Sequence, residues 1–484
     1  MQPIASQRNL PGADVATERQ AEAWMTDALR AFNYSNHAIH SLPREEADAI
    51  QLFAANMRLE QRRAQIPVLS KLASSQGIST VRTLEDVAAL CFTHDIYKSY
   101  PRSLLARSRF AQLTTWLDRL TSFDISHVDC TGCASIDSWL NRLRAETPLD
   151  VATSSGTSGT LSFFPKSKED FRTSVTGLRI QLTQDFSDSS TSPNLTEPIH
   201  VLTPFYRDGY STTTRLPAYF LEIFCKNDPA RLHTALPFAA SADLMWLAGR
   251  LRAAQAKGDA AAVDVPETLL ARRAEWERLA AETPVMQANF IRKMVPELKG
   301  QRVFALGITG LFYEIARTGL NEGVRAEFAT GSVVMGGGGG KGIVLPDDVD
   351  QVIGRFFGVD RVRGGYGMTE QNFYLVSCEH ERLHVPPWVI VLLLDPETGR
   401  LVKPEGKQTG RASFFDITQD GAWGGIVSGD RITVDYTPCP CGRTTLHIDK
   451  KIERFSDLTG EDDKLTCAAT PGAQAAALEL LSSL

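Results

Sequence analysis

Apolar positions in the first part of the chain recur every three or four residues. Segments 17–31, 45–65, 81–90 and 110–120 each gather them on one helical face among charges, which predicts a helical N-terminal layer packed on whatever follows. The pattern then changes to short continuous apolar runs of strand length at 199–203 and 303–309. Helical spacing returns at 171–186 and across the Ala-, Arg- and Glu-rich stretch 239–281, which the connection AAQAKGDAAAVDVPE interrupts. Strands alternating with helices predict an α/β protein. The expected divisions are a helical N-terminal part over 1–145, a core with mixed sheets over 146–455 and a short tail over 456–484.

Composition narrows the classes of function. The 484 residues suffice for a large core of two or three sub-domains. A net charge of -6 argues against a general nucleic-acid binder. No apolar run approaches the length of a membrane span, the longest being 388–394, and the first twenty residues lack the charged-then-apolar order of a signal peptide. A cytoplasmic protein is expected. Its eight cysteines then read as free thiols or metal ligands, not as a disulfide framework.

Three turns carry the chemistry. DVATSSGTSGTLSFFPK (150–166) contains eight consecutive residues drawn only from Thr, Ser and Gly, whose hydroxyls and backbone amides suit phosphate oxygens. It is not a Walker loop, because no Gly-Lys-Ser/Thr follows at the required spacing. A polar linker is the alternative. The helix expected at 171–186 would aim its N-terminal dipole at any phosphate the loop holds. GSVVMGGGGGKG (331–342) ends a β-branched run in five glycines, where a flat ring or sugar can lie on bare backbone. VRGGYGMTE (362–370) adds an aromatic face for a base, a hydroxyl for a phosphate and a carboxylate for Mg²⁺. Phe205 and Tyr206, just past the strand expected at 199–203, are candidates for a substrate pocket, with an aromatic core cluster as the alternative.

The ordered series TSSGTSGT (153–160), GGGGGKG (336–342), YGMTE (366–370) and SGD (428–430) resembles the motif series of the adenylate-forming ligases. Within them, 366–399 is similar to the acyl-protein synthetases of bacterial fatty-acid reductase complexes, and CPCGRT (439–444) to phenylacetate–CoA ligases. The resemblance implies that a carboxylic acid and MgATP give an acyl-adenylate and pyrophosphate. The acyl group would then pass to a thiol of the protein itself, CoA, an acyl carrier protein or an acyl-reductase partner. Carried over by position, Ser154, Ser155, Gly156, Thr157, Ser158, Gly159 and Thr160 would hold the β- and γ-phosphates, with Lys166 as a helper. Gly337, Gly338 and Gly339 would floor the adenine and acyl pockets. In the turn Tyr366–Gly367–Met368, Tyr366 would stack on adenine; Thr369 would bond the α-phosphate and Glu370 would ligate Mg²⁺. Asp430 would bind the ribose hydroxyls, with Arg454 beside it.

The tail after 457 is shorter than the mobile C-terminal domain typical of these enzymes, so the lysine that such a domain contributes is missing or replaced. Lys341 and Lys464 are the candidates. Acyl-protein synthetases pass the acyl group through a cysteine near the C-terminus, and Cys467 sits where such a cysteine could be, with an ordinary free thiol as the alternative. Cys378 and His384 (C-x5-H) with Cys439 and Cys441 (C-x-C) make a Cys3His set for a structural Zn²⁺, His380 being a substitute for His384 and reduced thiols the alternative. Cys130 and Cys133 form a C-x-x-C that reads as a redox pair, as half a zinc site or as neither. Two other classes of function stay open. One is an amide ligase using the same adenylate, since SSGTS also resembles auxin-type amido synthetases; the other is a non-catalytic nucleotide-binding protein.

Overall fold

A helix starts where a side chain can cap its orphaned amides, and three local capping boxes fix three starts here. The computed structural model describes residues 15–154, 160–189, 195–256, 258, 265–338 and 344–459. Ser155, Gly156, Thr157, Ser158, Gly159, Gly339, Lys341, Lys464 and Cys467 lie outside the described residues. The N-terminal layer comprises α1 (Val15–Ala31), α2 (Asn36–Ser41) and α3 (Arg44–Arg62), followed further on by α4 (Phe110–Asp118) and α5 (Ile136–Glu146). The helix expected at 81–90 is trimmed to Leu84–Ala89, because Thr83 and Asp86 cap it reciprocally. The one expected at 171–186 becomes α6 (Lys168–Thr183), begun three residues early by the Ser167–Asp170 box. Ser135 and Ser138 do the same for α5. After α7 (Thr212–Ile223), the stretch 239–281 resolves into α8 (Ala242–Ala256), a short helix at Glu267–Leu270 and the first part of a helix at Arg273–Asn289.

The strands fall into two large sheets and a hairpin. In chain order they are β1 (Phe92–Thr93), β2 (Ala152–Thr153), β3 (Phe163–Phe164), β4 (His200–Asp208), β5 (Leu232–Ala239), β6 (Val303–Ile308), β7 (Val333–Gly337), β8 (Val362–Gly367), β9 (Tyr374–Val376), β10 (Arg382–His384), β11 (Val389–Leu394), β12 (Lys407–Asp416), β13 (Gly425–Asp435), β14 (His447–Asp449) and β15 (Glu453–Arg454). One sheet runs β5–β4–β6–β7–β8–β9 and is parallel except for β9. Its crossovers carry α7, α9 (Thr309–Asn321) and α10 (Val349–Phe357), so both faces are covered, as a parallel sheet requires. The other sheet, β10–β14–β13–β12–β11, is antiparallel, with β1 and β15 added on β13. β13 alternates between buried and part-exposed residues along most of its length, whereas β11, VIVLLL, is buried throughout. β2 and β3 form the short hairpin that brackets the Thr/Ser/Gly loop.

Polar contacts as well as packing hold the N-terminal layer to the second sheet. α3 buries Ile50, Phe53, Ala54 and Met57 at helical spacing, and on the same side buries Gln51, Arg58 and Arg62. These donate to backbone carbonyls: Gln51 Nε2 to Pro387 (2.7 Å), Arg58 Nε to Ile417 (2.8 Å) and Arg62 Nη2 to Gln419 (3.2 Å). Burial, with Arg62 beside it, pushes the Arg58 guanidinium down to about 10.

The contact that joins the layers is Asp170. Its buried carboxylate accepts N–H groups from Ser167 (2.7 Å), Asp420 (2.8 Å) and Gly421 (3.0 Å), and from the Asn372 side chain. Asp170→Ala would strand those donors, each at about 1–3 kcal/mol, so we predict a stability loss of about 3–5 kcal/mol. Denaturant titration would measure it; a loss below about 1 kcal/mol would show that the knot does not hold the layers.

Candidate functional site

Parallel strands end together, and here β7 and β8 end in glycine. Gly336 pairs with Gly364 and Gly337 with Ile308, so the ends of β6, β7 and β8 form one edge. The expected glycine loop therefore begins inside a strand: Gly336 and Gly337 are β7 residues, and Gly338 turns out of it with φ +65°. A Cβ on Gly336 would sit 2.5 Å from Thr309 Oγ1 and 3.4 Å from the Thr309 backbone, so a side chain there would crowd the start of α9.

The hairpin lies against the same edge. Ser154 N donates to Ser162 O (3.1 Å) and Ser162 N to Ser154 Oγ (2.9 Å), closing the ends of the Thr/Ser/Gly loop. Thr153 N donates to Tyr210 O (2.7 Å), and Thr153 bridges to Ser211, the N-cap of α7. The hydroxyls of Thr153 and Thr160 are buried without a partner among the described residues. Among the described residues the helix terminus that meets this hairpin next to Thr153 is that of α7, where the expectation sets the start of 171–186. α6 starts at Ser167, which bridges to Leu149 at the base of the hairpin, and its first turn is already capped by the Asp170 carboxylate.

Lys166 is also relocated. Its buried ammonium donates to Gln371 O and Asn372 Oδ1, both at 2.7 Å, and so fixes the chain just after Glu370. Burial pushes that ammonium's pKa down, against the opposing pull of Asp170, Asp416 and Glu370. From β8 the chain enters the turn Tyr366–Glu370. Gln419 Nε2 donates to Glu370 O (2.9 Å), and Thr212 Oγ1 donates to Thr369 Oγ1 (2.8 Å). Gly367 is exposed, Met368 half-buried, and a Cβ on Gly367 would sit 2.5 Å from the Tyr374 ring. Burial first, and then the Asp430 carboxylate, push the Glu370 carboxyl up; among the described residues no ion pair neutralises it.

Across the turn stands β13. Asp430 is buried, oriented by its N–H donating to Ser428 Oγ (3.1 Å), and accepts the Tyr366 hydroxyl at Oδ2 (2.8 Å). Arg454, its cross-strand partner on β15, holds Nε 3.6 Å from Oδ1. Burial and Asp430 together raise the Tyr366 phenol well above its usual value, so it remains a donor. Gly337, Gly338, Tyr366, Thr369, Glu370, Asp430 and Arg454 thus lie around one edge, and the hairpin is joined to it where Thr153 bridges to Ser211 and the adjacent Thr212 meets Thr369. The pattern of residues did not reveal Ser211 and Thr212; the hydroxyl run STTT at a helix start was their only signal. Phe205 and Tyr206 lie within β4, which runs on to Asp208, and Tyr206 packs edge-on against Phe238 of β5 at 5.6 Å.

A second cluster stands at the far ends of β10 and β14. The ligand atoms of Cys378, His384, Cys439 and Cys441 all lie within 4.8 Å of one another. Cys378 Sγ is 4.0 Å from Cys439 Sγ, and Cys441 Sγ is 3.2 Å from His384 Nε2. Zinc–thiolate bonds of about 2.3 Å at tetrahedral angles give S···S edges of about 3.8 Å, so the four donors fit such an ion. His384 Nδ1 lies 3.2 Å from Thr445 O, which fixes the tautomer that turns Nε2 to the thiols. His384, not His380, belongs to the set. Thr444 Oγ1 donates to His40 O and Leu42 O at 3.0 and 2.6 Å, seating the C-x-C knuckle on α2. Cys130 and Cys133 stay apart from this cluster, Cys130 Sγ lying 3.2 Å from Thr114 Oγ1.

No family model and no curated protein matches the chain. Among solved structures it is similar to 2-hydroxyisobutyryl-CoA ligase in complex with 2-HIB-AMP and CoA, at 13% identity over 86% of this chain and 71% of that one, with a TM-score of 0.46. ATP-bound MatB from Rhodopseudomonas palustris gives 16% identity over 62% and 47%, with a TM-score of 0.35. A long-chain-fatty-acid-CoA ligase from Archaeoglobus fulgidus gives 10% over 64% and 52%, with 0.33. The likeness is one of backbone path.

Tyr366→Phe keeps the ring and removes one hydrogen bond to a buried carboxylate, so we expect a stability loss of about 1–2 kcal/mol. Unchanged denaturation would mean that Tyr366 and Asp430 do not pair in solution.

Proposed function

We propose that this protein activates a carboxylic acid with ATP, forming an acyl-adenylate and pyrophosphate. The observation that carries it is the convergence of the hydroxyl hairpin, the glycine strand ends, the Tyr366–Glu370 turn and Asp430 on one edge of the parallel sheet, where α/β folds bind ligands. Tyr366 offers a ring to adenine, Asp430 an acceptor to the ribose hydroxyls, and Ser154 to Thr160 donors to the outer phosphates. A carboxylate oxygen then attacks the α-phosphorus; the new C(=O)–O–P bond forms as the bond to the β-phosphate breaks and pyrophosphate leaves. Two anions meet in that step, so the protein must supply charge neutralisation and alignment, not a nucleophilic side chain. Thr369 would donate to an α-phosphate oxygen. Glu370, a half-buried carboxylate without an ion-pair partner among the described residues, fits the ligand of a Mg²⁺ ion, which when bound neutralises phosphate charge.

The acyl group then passes to a thiol: that of Cys467, CoA, a carrier protein or a partner protein. An amine acceptor or a non-catalytic nucleotide site are the alternatives. No described helix is long and apolar enough to cross a membrane, and use of ATP fits a cytoplasmic enzyme. Cys378, His384, Cys439 and Cys441 hold a structural zinc ion; with four protein donors, no position is open for catalysis.

Pyrophosphate exchange into ATP, screened over a panel of fatty, aromatic and small polar acids, tests the activity. At least one acid should stimulate exchange, and Glu370→Gln should lower the rate about tenfold or more. No exchange with any acid would reject the activity, and an unaffected variant would remove Glu370 from the site. Elemental analysis should find about one zinc per chain, with Cys439→Ser losing it and melting at least about 5 °C lower. A metal-free wild-type protein of equal stability would reject the zinc.

A further inference from the structure

The Thr212–Thr369 hydroxyl pair joins elements that the sheet keeps far apart. Thr212 opens α7 just after β4, Thr369 follows β8, and β6 and β7 lie between those strands. The two hydroxyls, 2.8 Å apart, therefore meet across the ends of β6 and β7, at the paired residues Ile308 and Gly337. Thr212 is held from the other side as well, because its neighbour Ser211 caps α7 and bridges to Thr153 at the base of the phosphate hairpin.

Direction matters. Thr212 donates and Thr369 accepts, so the single Thr369 proton is directed elsewhere, and among the described residues Thr369 Oγ1 makes no other hydrogen bond. A hydroxyl that accepts one hydrogen bond becomes a better donor in the next. We infer that Thr212 is a positioning residue: it sets the Thr369 rotamer and aims the Thr369 proton at the α-phosphate oxygen on which charge builds as the carboxylate attacks. This rests on the proposed adenylation. It also makes the start of α7 the link between the hairpin strand end at Thr153 and the turn that carries Thr369.

The test is pyrophosphate exchange by Thr212→Val and Thr212→Ser, alone and with Thr369→Val. Thr212→Val should lower kcat about tenfold while KM for ATP moves less than about twofold, because the bond acts on developing charge and not on ground-state binding. Thr212→Ser should stay within about twofold of wild type, both variants should melt with wild type, and the double variant should be no slower than Thr369→Val alone. An unchanged kcat in Thr212→Val, a serine variant as slow as the valine variant, or losses that multiply in the double variant would overturn the role of Thr212 and leave adenylation standing. Wild-type protein that exchanges with no acid would overturn both.

Discussion

A carboxylate buried among N–H groups ties down every segment that supplies one, since each donor left unpaired costs most of its desolvation. Asp170 receives such donors from its own helix start, from the 420–421 turn and from Asn372, two residues past Glu370. Lys166 adds a second tie to Gln371 and Asn372 from the end of the hairpin. The hairpin, the parallel sheet and the antiparallel sheet therefore meet at one polar knot directly beneath the Tyr366–Glu370 turn. The knot adds to the direct Tyr366–Asp430 and Gln419–Glu370 hydrogen bonds that hold the turn to Asp430, which arrives on a different sheet.

The division of labour follows from what each sheet type does well. A parallel sheet brings several strand ends to one edge, and glycine at those ends leaves bare backbone there. An antiparallel sheet places chosen side chains opposite one another at fixed register, and that is how Asp430 and Arg454 become neighbours. The cysteine–histidine cluster brings together the distal ends of the two arms, and a bound zinc ion would clamp them: Cys378 follows β9, which leaves the turn, and Cys439 and Cys441 follow β13, which carries Asp430. Through Thr444 and α2 the same clamp grips the N-terminal layer.

Features encoded within a few residues were legible in the sequence. The C-x-C chelate and the C-x5-H spacing named the four donors that the fold assembles, and helical periodicity located the N-terminal layer. Boundaries went astray where a cap outweighed periodicity: Ser167 and Asp170 start α6 before its apolar face begins, and Thr83 delays the helix expected at 81. β4 runs past Thr203 because Phe205 to Asp208 are extended beside β5, a tertiary gain that composition does not register. Lys166 looked like a phosphate ligand from its place after the loop, yet it turns inward to partners 205 and 206 residues away. Thr212 and Thr369 are 157 residues apart, and no local pattern couples them.

Under the proposed function, one carboxylate, Asp430, would serve fold and ligand together. Its Oδ2 accepts the Tyr366 hydroxyl at 2.8 Å, which keeps the ring in place. Arg454 stands 3.6 Å from Oδ1, beyond hydrogen-bond range though within reach of charge attraction. Oδ1 thus keeps its lone pairs for incoming donors, and two vicinal hydroxyls of a ribose are donors of the right kind. In the proposed adenylation a ribose bound this way would not have to break the Tyr366 contact, so the aromatic face would keep its place as the sugar docked, and less order would have to be gained on binding.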